Sequence, residues 1–92
     1  MKLRVWRALH GLSQQQVAEK AGVGSKMNIS RYERAPDHRH FRPPMAAHYL
    51  RLRELTGGAV LYDDYLRPWT DADRAALEAA RGYAAGFQAV AP

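Results

Sequence analysis

Cysteine is absent from the sequence. That excludes a disulfide framework and every cysteine-ligated zinc or iron–sulfur site, and it leaves packing alone to hold the chain together. Long apolar runs are absent as well. Nothing approaches the roughly 20 apolar residues of a membrane-spanning helix, and Met1-Lys2-Leu3 leads into Arg4 without the apolar stretch of a signal peptide. The expectation is no membrane partner and a cytoplasmic setting, bacterial or phage. Acidic residues are scarce in the first part of the chain. Through Arg53, three Asp and Glu stand against eleven Lys and Arg, a net of +8, whereas from Glu54 onward six stand against three, a net of −3. A basic half points to a polyanionic partner, although a solvated surface of ordinary kind would carry charge too. The two halves are expected to face different partners.

What is present fits one hydrophobic core, since 92 residues are enough for one and too few for two. Leu3, Trp6 and Leu9 recur on one face with Arg4 and Arg7 between them, predicting a helix over residues 2 to 10 that Gly11 closes. Ser13 stands where an N-cap belongs, before a helix from Gln14 to Ala21 with Val17, Ala18 and Ala21 inward. Gly22 supplies the left-handed residue that ends it, and Val23 plugs the corner. Ser25 is expected to cap a third helix, Lys26 to Arg34, whose inward positions are Ile29 and Tyr32. Residues 35 to 44, with Pro36, Pro43 and Pro44, form a basic loop. Met45, Tyr49, Leu52 and Leu55 predict a fourth helix ending at Gly57-Gly58, and Val60 to Leu66 a short fifth that Pro68 terminates, with Val60, Leu61, Tyr62, Tyr65 and Leu66 closing the core. Thr70 and Asp73 have capping-box spacing ahead of an alanine-rich helix over about 71 to 88. The fold class is therefore all-α, with a domain over 1–68 and a C-terminal helix and tail over 69–92.

The stretch Leu12-Ser13-Gln14-Gln15-Gln16-Val17-Ala18-Glu19-Lys20-Ala21-Gly22-Val23, followed by Ile29-Ser30-Arg31-Tyr32-Glu33-Arg34, resembles the phage repressor and Cro-like (XRE-type) helix-turn-helix family. In organisation the resemblance covers about residues 2 to 66. It implies a five-helix repressor-like domain that binds double-stranded DNA, a homodimer on a palindromic operator, and a role in transcription regulation as a repressor. Independently, two short helices joined by a glycine turn can cross so that the second lies in a major groove about 12 Å wide. One departure stands out. Gly24-Ser25-Lys26-Met27-Asn28, between Val23 and Ile29, is one residue longer than the family's spacing. A turn widened at Gly24 is expected, which leaves the register of the third helix's first turn open by one position.

By the resemblance, Gln14, Ser25, Lys26, Met27, Asn28 and Arg31 match DNA-facing positions. Arg31 can bond guanine O6 and N7 in parallel or pair with a surface acid; Asn28 can read adenine or serve only to start its helix. Lys26 suits guanine or a phosphate, and Met27 either a thymine methyl or the core. Gln14, at a helix N-terminus, combines a side-chain amide with backbone N–H groups for a phosphate. Arg34, Arg39 and Arg42, after the third helix, suit phosphate clamps, while Glu33 suits an internal salt bridge better than a base.

Catalysis and metal binding have little behind them. His38 and His40 beside Asp37 lack helical ligand spacing, and no phosphate-binding Gly-rich loop or nucleophile motif accompanies them. No enzyme, cofactor or metal is expected; a partly protonated His38 or His40 near phosphates would make binding mildly pH-sensitive. The last helix carries an apolar stripe of Leu77, Ala80, Ala84 and Phe87 with Tyr83 alongside. That stripe can pack on its own domain, form a dimerisation seam, or hold a foreign protein. In the last case the chain would be an antitoxin or adaptor with DNA binding secondary.

Overall fold

The computed structural model describes residues 1–90, with side chains through residue 83. It is all-helical, with no strand among the described residues: α1 (Leu3–Leu9), α2 (Gln14–Ala21), α3 (Lys26–Glu33), α4 (Ala46–Leu55), α5 (Tyr62–Leu66) and α6 (Asp71–Val90). No described helix is long and apolar enough to cross a membrane.

Local chemistry sets most boundaries. Gly11, at φ 62°, ends α1, and the Leu12 N–H closes the turn on the Arg7 carbonyl at 3.1 Å. Ser13 caps α2 reciprocally: its hydroxyl accepts from the Gln16 N–H at 3.0 Å while Gln16 Oε1 accepts from the Ser13 N–H at 2.8 Å. Ser25 occupies the N-cap position of α3, but its hydroxyl makes no capping bond, contrary to the expectation. Helix α4 ends at Leu55, where Gly57 and Gly58 take positive φ.

The main core forms where α1 to α5 meet, and Val17, Val23, Ile29, Leu52 and Val60 are its largest fully buried side chains. Four expected core residues are not in it. Met45 is the exposed N-cap of α4, and Leu61, Tyr62 and Leu66 lie on the outside of a helix so short that only Tyr65 reaches inward. The apolar crowding of residues 60–66 exceeds what one turn and a half can bury.

Helix α1 is covered on two sides. Leu3 and Trp6 face the main core, while Val5 meets Leu77 and Ala80 of α6 in a second cluster with Trp69 packed beside it. This corrects the expected dimerisation seam: Leu77 and Ala80 are covered within the chain, because a second apolar face on α1 takes up the stripe. Tyr83 remains exposed, and the side chains of Ala84 and Phe87 lie outside the described residues. Residues 69 to 80 are thus built onto α1.

The start of α6 is held by Asp73. Its carboxylate accepts from the Thr70 N–H at 2.9 Å and from the Arg67 guanidinium at 2.5 and 2.9 Å. The Arg67 guanidinium, seconded by the two Thr70 donors, holds the Asp73 carboxyl well below the usual carboxylate range despite its burial. A carboxyl depressed in the native state stabilises above its unfolded pKa of about 3.9, and that stabilisation is lost as pH falls from there toward the native value. Asp73→Ala is therefore expected to cost about 1 kcal/mol at pH 7, roughly 4–8 °C in Tm for a chain of this size. The gap between the melting curves of variant and wild type should narrow progressively as pH falls below about 4; a gap that stays constant with pH would refute the role of the charge.

Candidate nucleic-acid interface

Helices α2 and α3 are joined through Gly22 to Ser25. Gly22, at φ 68°, ends α2 in the left-handed conformation, and the Val23 N–H reaches back to the Ala18 carbonyl at 3.1 Å. Val23 then drops into the core with no exposure. Arg51 of α4 donates to the Gly22 carbonyl at 2.5 Å, tying the corner to the rest of the fold.

The turn widens at Gly24. Its φ of 86° suits glycine, and a Cβ there would lie 2.8 Å from Asn28 Nδ2. That amide donates to the Val23 carbonyl at 2.9 Å. Asn28 is thus turned back into the corner. One of its two N–H donors is committed to the turn, which ties the side chain to the corner and competes with the expected role as an adenine reader.

Helix α3 separates its residues cleanly. Ile29 and Tyr32 point inward, Tyr32 Oη pairing with His48 Nδ1 of α4 at 2.7 Å. Ser25, Lys26, Met27 and Arg31 are exposed. Met27 is 57% exposed and so does not belong to the core. With Ser30 and Arg34, Lys26, Met27 and Arg31 fall at helical spacing on one side of the helix. Arg31 and Lys26 have no carboxylate partner among the described residues, whose ion pairs use Arg7, Arg67, Arg74 and the N-terminus.

The residue that joins the helices behind this face is Glu33, in the internal salt bridge expected of it. Glu33, whose side chain is 4% exposed, receives Arg7 at 2.8 and 3.0 Å and the Gln14 amide at 3.1 Å. One carboxylate thereby joins α1, the start of α2 and the end of α3. Gln14's side-chain amide is consequently spent inside the protein, which corrects part of its expected role. What it still offers is backbone: the Gln14 and Gln15 N–H groups, in the first turn of α2, have no intrahelical acceptor. They sit beside a recess of about 250 Å³ lined by Arg4, Arg7, Gln14, Ser30, Glu33 and Arg34. A helix N-terminus flanked by guanidinium groups favours an anion.

The loop after α3 is pinned to it, the Arg42 N–H donating to the Arg31 carbonyl at 3.3 Å. Arg42's guanidinium folds onto the Phe41 carbonyl at 2.7 Å, and Arg39 Nε donates to His40 Nε2 at 3.2 Å. His38 Nδ1 accepts from the His40 N–H at 3.0 Å. Arg39 and Arg42 stay exposed, yet each commits donors to its own loop. Arg34, at the end of α3, commits none. Arg4 belongs to the same surface, and sequence reasoning left it out: its place on the polar side of α1 was legible, but nothing in the pattern sets that side next to the end of α3. No family model, curated protein or solved structure matches the chain.

Proposed function

We propose that the chain is a sequence-specific, double-stranded DNA-binding regulator of the repressor-like helix-turn-helix type, which lays α3 in the major groove and acts as a homodimer on a palindromic operator. The observation that carries this is the division of α3: its inward face and its turn are locked by Ile29, Tyr32, Gly24 and Asn28, while Lys26, Met27 and Arg31 stand exposed and unpaired on the other side. Arg31 is the guanine reader, by two parallel bonds to O6 and N7, and Met27 lies against a thymine methyl. Lys26 reaches guanine or a phosphate, and the Ser25 hydroxyl, free of capping, is a further donor at the groove. Backbone phosphates are taken by the first-turn amides of α2 and by Arg34, with Arg39 and Arg42 at the loop. With Leu77 and Ala80 covered by α1, neither a dimer seam nor a foreign partner rests on that part of α6.

Arg31→Ala is the test. Affinity is measured for a selected site and for random duplex across a salt series, on duplexes carrying one and two half-sites. A base contact predicts a loss of about 1–3 kcal/mol on the selected site alone, whereas a phosphate contact would weaken both and lower the salt slope by about 1. Homodimeric binding predicts that the two-half-site duplex saturates cooperatively. If neither affinity moves, α3 does not read DNA.

A further inference from the structure

Arg74 and Arg81 lie outside the α3 surface, in the acidic half of the sequence. Both nevertheless line an open groove of about 510 Å³ between α1, the end of α3 and α6, where they face Arg4 and Arg34, with Trp69 and His38 at its sides. Arg74 and Arg81 are two turns apart on α6 and share a face. Leu77, between them, is buried against Val5 of α1, and that packing aims the arginine edge of the helix at Arg4 and Arg34.

The groove's carboxylates do not cancel this charge. Glu33 is already paired with Arg7. Glu78 lines the groove but is exposed, and Arg74 touches Asp71 at 3.1 Å with side chains 64% and 105% exposed, a pair that solvent screens. Arg4, Arg34 and Arg81 have no carboxylate partner among the described residues. Four guanidinium groups outnumber the carboxylates around the groove and repel one another, and an anion held among them relieves that repulsion.

Continuity identifies the occupant. Arg4 and Arg34 line this groove and also the recess at the start of α2, so one basic path runs from the α2 N-terminus past the end of α3 to α6. A ligand that follows it carries negative charges at intervals along its length, as a phosphodiester backbone does. We propose that α6 is a second backbone clamp, in which Arg74 and Arg81 together with Arg4 and Arg34 hold DNA phosphates flanking the groove entered by α3. This rests on the DNA-binding function proposed above. An acidic protein segment would match the sign of the charge but would have no reason to share the path with the α2 recess.

The experiment uses the full chain with Arg74→Gln and Arg81→Gln combined. Both side chains are exposed, so urea unfolding should match wild type. Titration of selected and random duplexes over a KCl series should show an affinity loss of about tenfold on both at low salt, with the salt slope reduced by about 1.8. Discrimination between the two duplexes should be unchanged. Wild-type affinity and slope in the double variant, while Arg31→Ala still loses discrimination, would overturn the clamp and leave α3's role standing. A wild-type chain that binds no duplex overturns both. If the double variant keeps its DNA affinity but loses binding to a poly-glutamate peptide, the groove serves an acidic partner and the clamp is wrong.

Discussion

Glu33→Ala is expected to destabilise the fold by about 3 kcal/mol, because it leaves the half-buried Arg7 guanidinium without its counter-charge. The Gln14 amide loses its acceptor in the same step. Since a small domain has only about 5–15 kcal/mol in total, such a loss removes a large share of its stability. Urea unfolding should show the midpoint moving while the slope stays constant, which assigns the change to the native state. The double variant Arg7→Met/Glu33→Leu separates charge from space. It fills the site without any ion, so it should recover most of the stability, as apolar replacements of buried pairs do. Its affinity for random duplex should still fall, because the recess beside α2 has lost Arg7 from its lining. An unchanged midpoint in Glu33→Ala would mean that the carboxylate does not hold α1, α2 and α3 together.

Ile29→Ala should cost about as much, roughly 2–5 kcal/mol, for a different reason. Ile29 is fully buried on the inward side of α3, and truncation leaves a cavity between that helix and the main core. Ile29→Val, which removes a single methyl group, should cost about 0.5–1.5 kcal/mol. The two together give a size series that can be read against cavity volume. Both variants leave every exposed α3 side chain in place, yet α3 is no longer held tightly behind its outward face. Ile29→Ala is therefore expected to lower discrimination between selected and random duplex at temperatures where it is still folded. Full discrimination in the folded variant would show that the outward face does not depend on the packing behind it.

The helices were legible because their signals are local. Ser13 with Gln16, Gly11 and Gly22 act within one turn of chain, and Thr70 with Asp73 marks the start of α6. Inward positions on α2 and α3 follow from period alone, and Val17, Ala18, Ile29 and Tyr32 are buried accordingly. Residue chemistry misled where one side chain can serve two purposes. Asn28 has the amide of an adenine reader, but the Val23 carbonyl lies within 2.9 Å of it and takes one of its two donors. Gln14 is similar, its amide going to Glu33. Composition misled over α6. A net of −3 from Glu54 onward averages over all faces of the helix, whereas Arg74 and Arg81 share one face.

By itself, then, the sequence determined that the chain is helical, where α2 and α6 begin, and that a basic surface follows α3. Period, caps and charge are properties of neighbouring residues, so no partner element is needed to read them. Only the tertiary structure decided what covers each apolar stripe and what each polar side chain meets. Val5 covers Leu77 and Ala80, Arg7 meets Glu33, and Arg4 is set beside Arg34. Periodicity says which face of a helix is buried but not against what, because that depends on how helices distant in the chain fill space together.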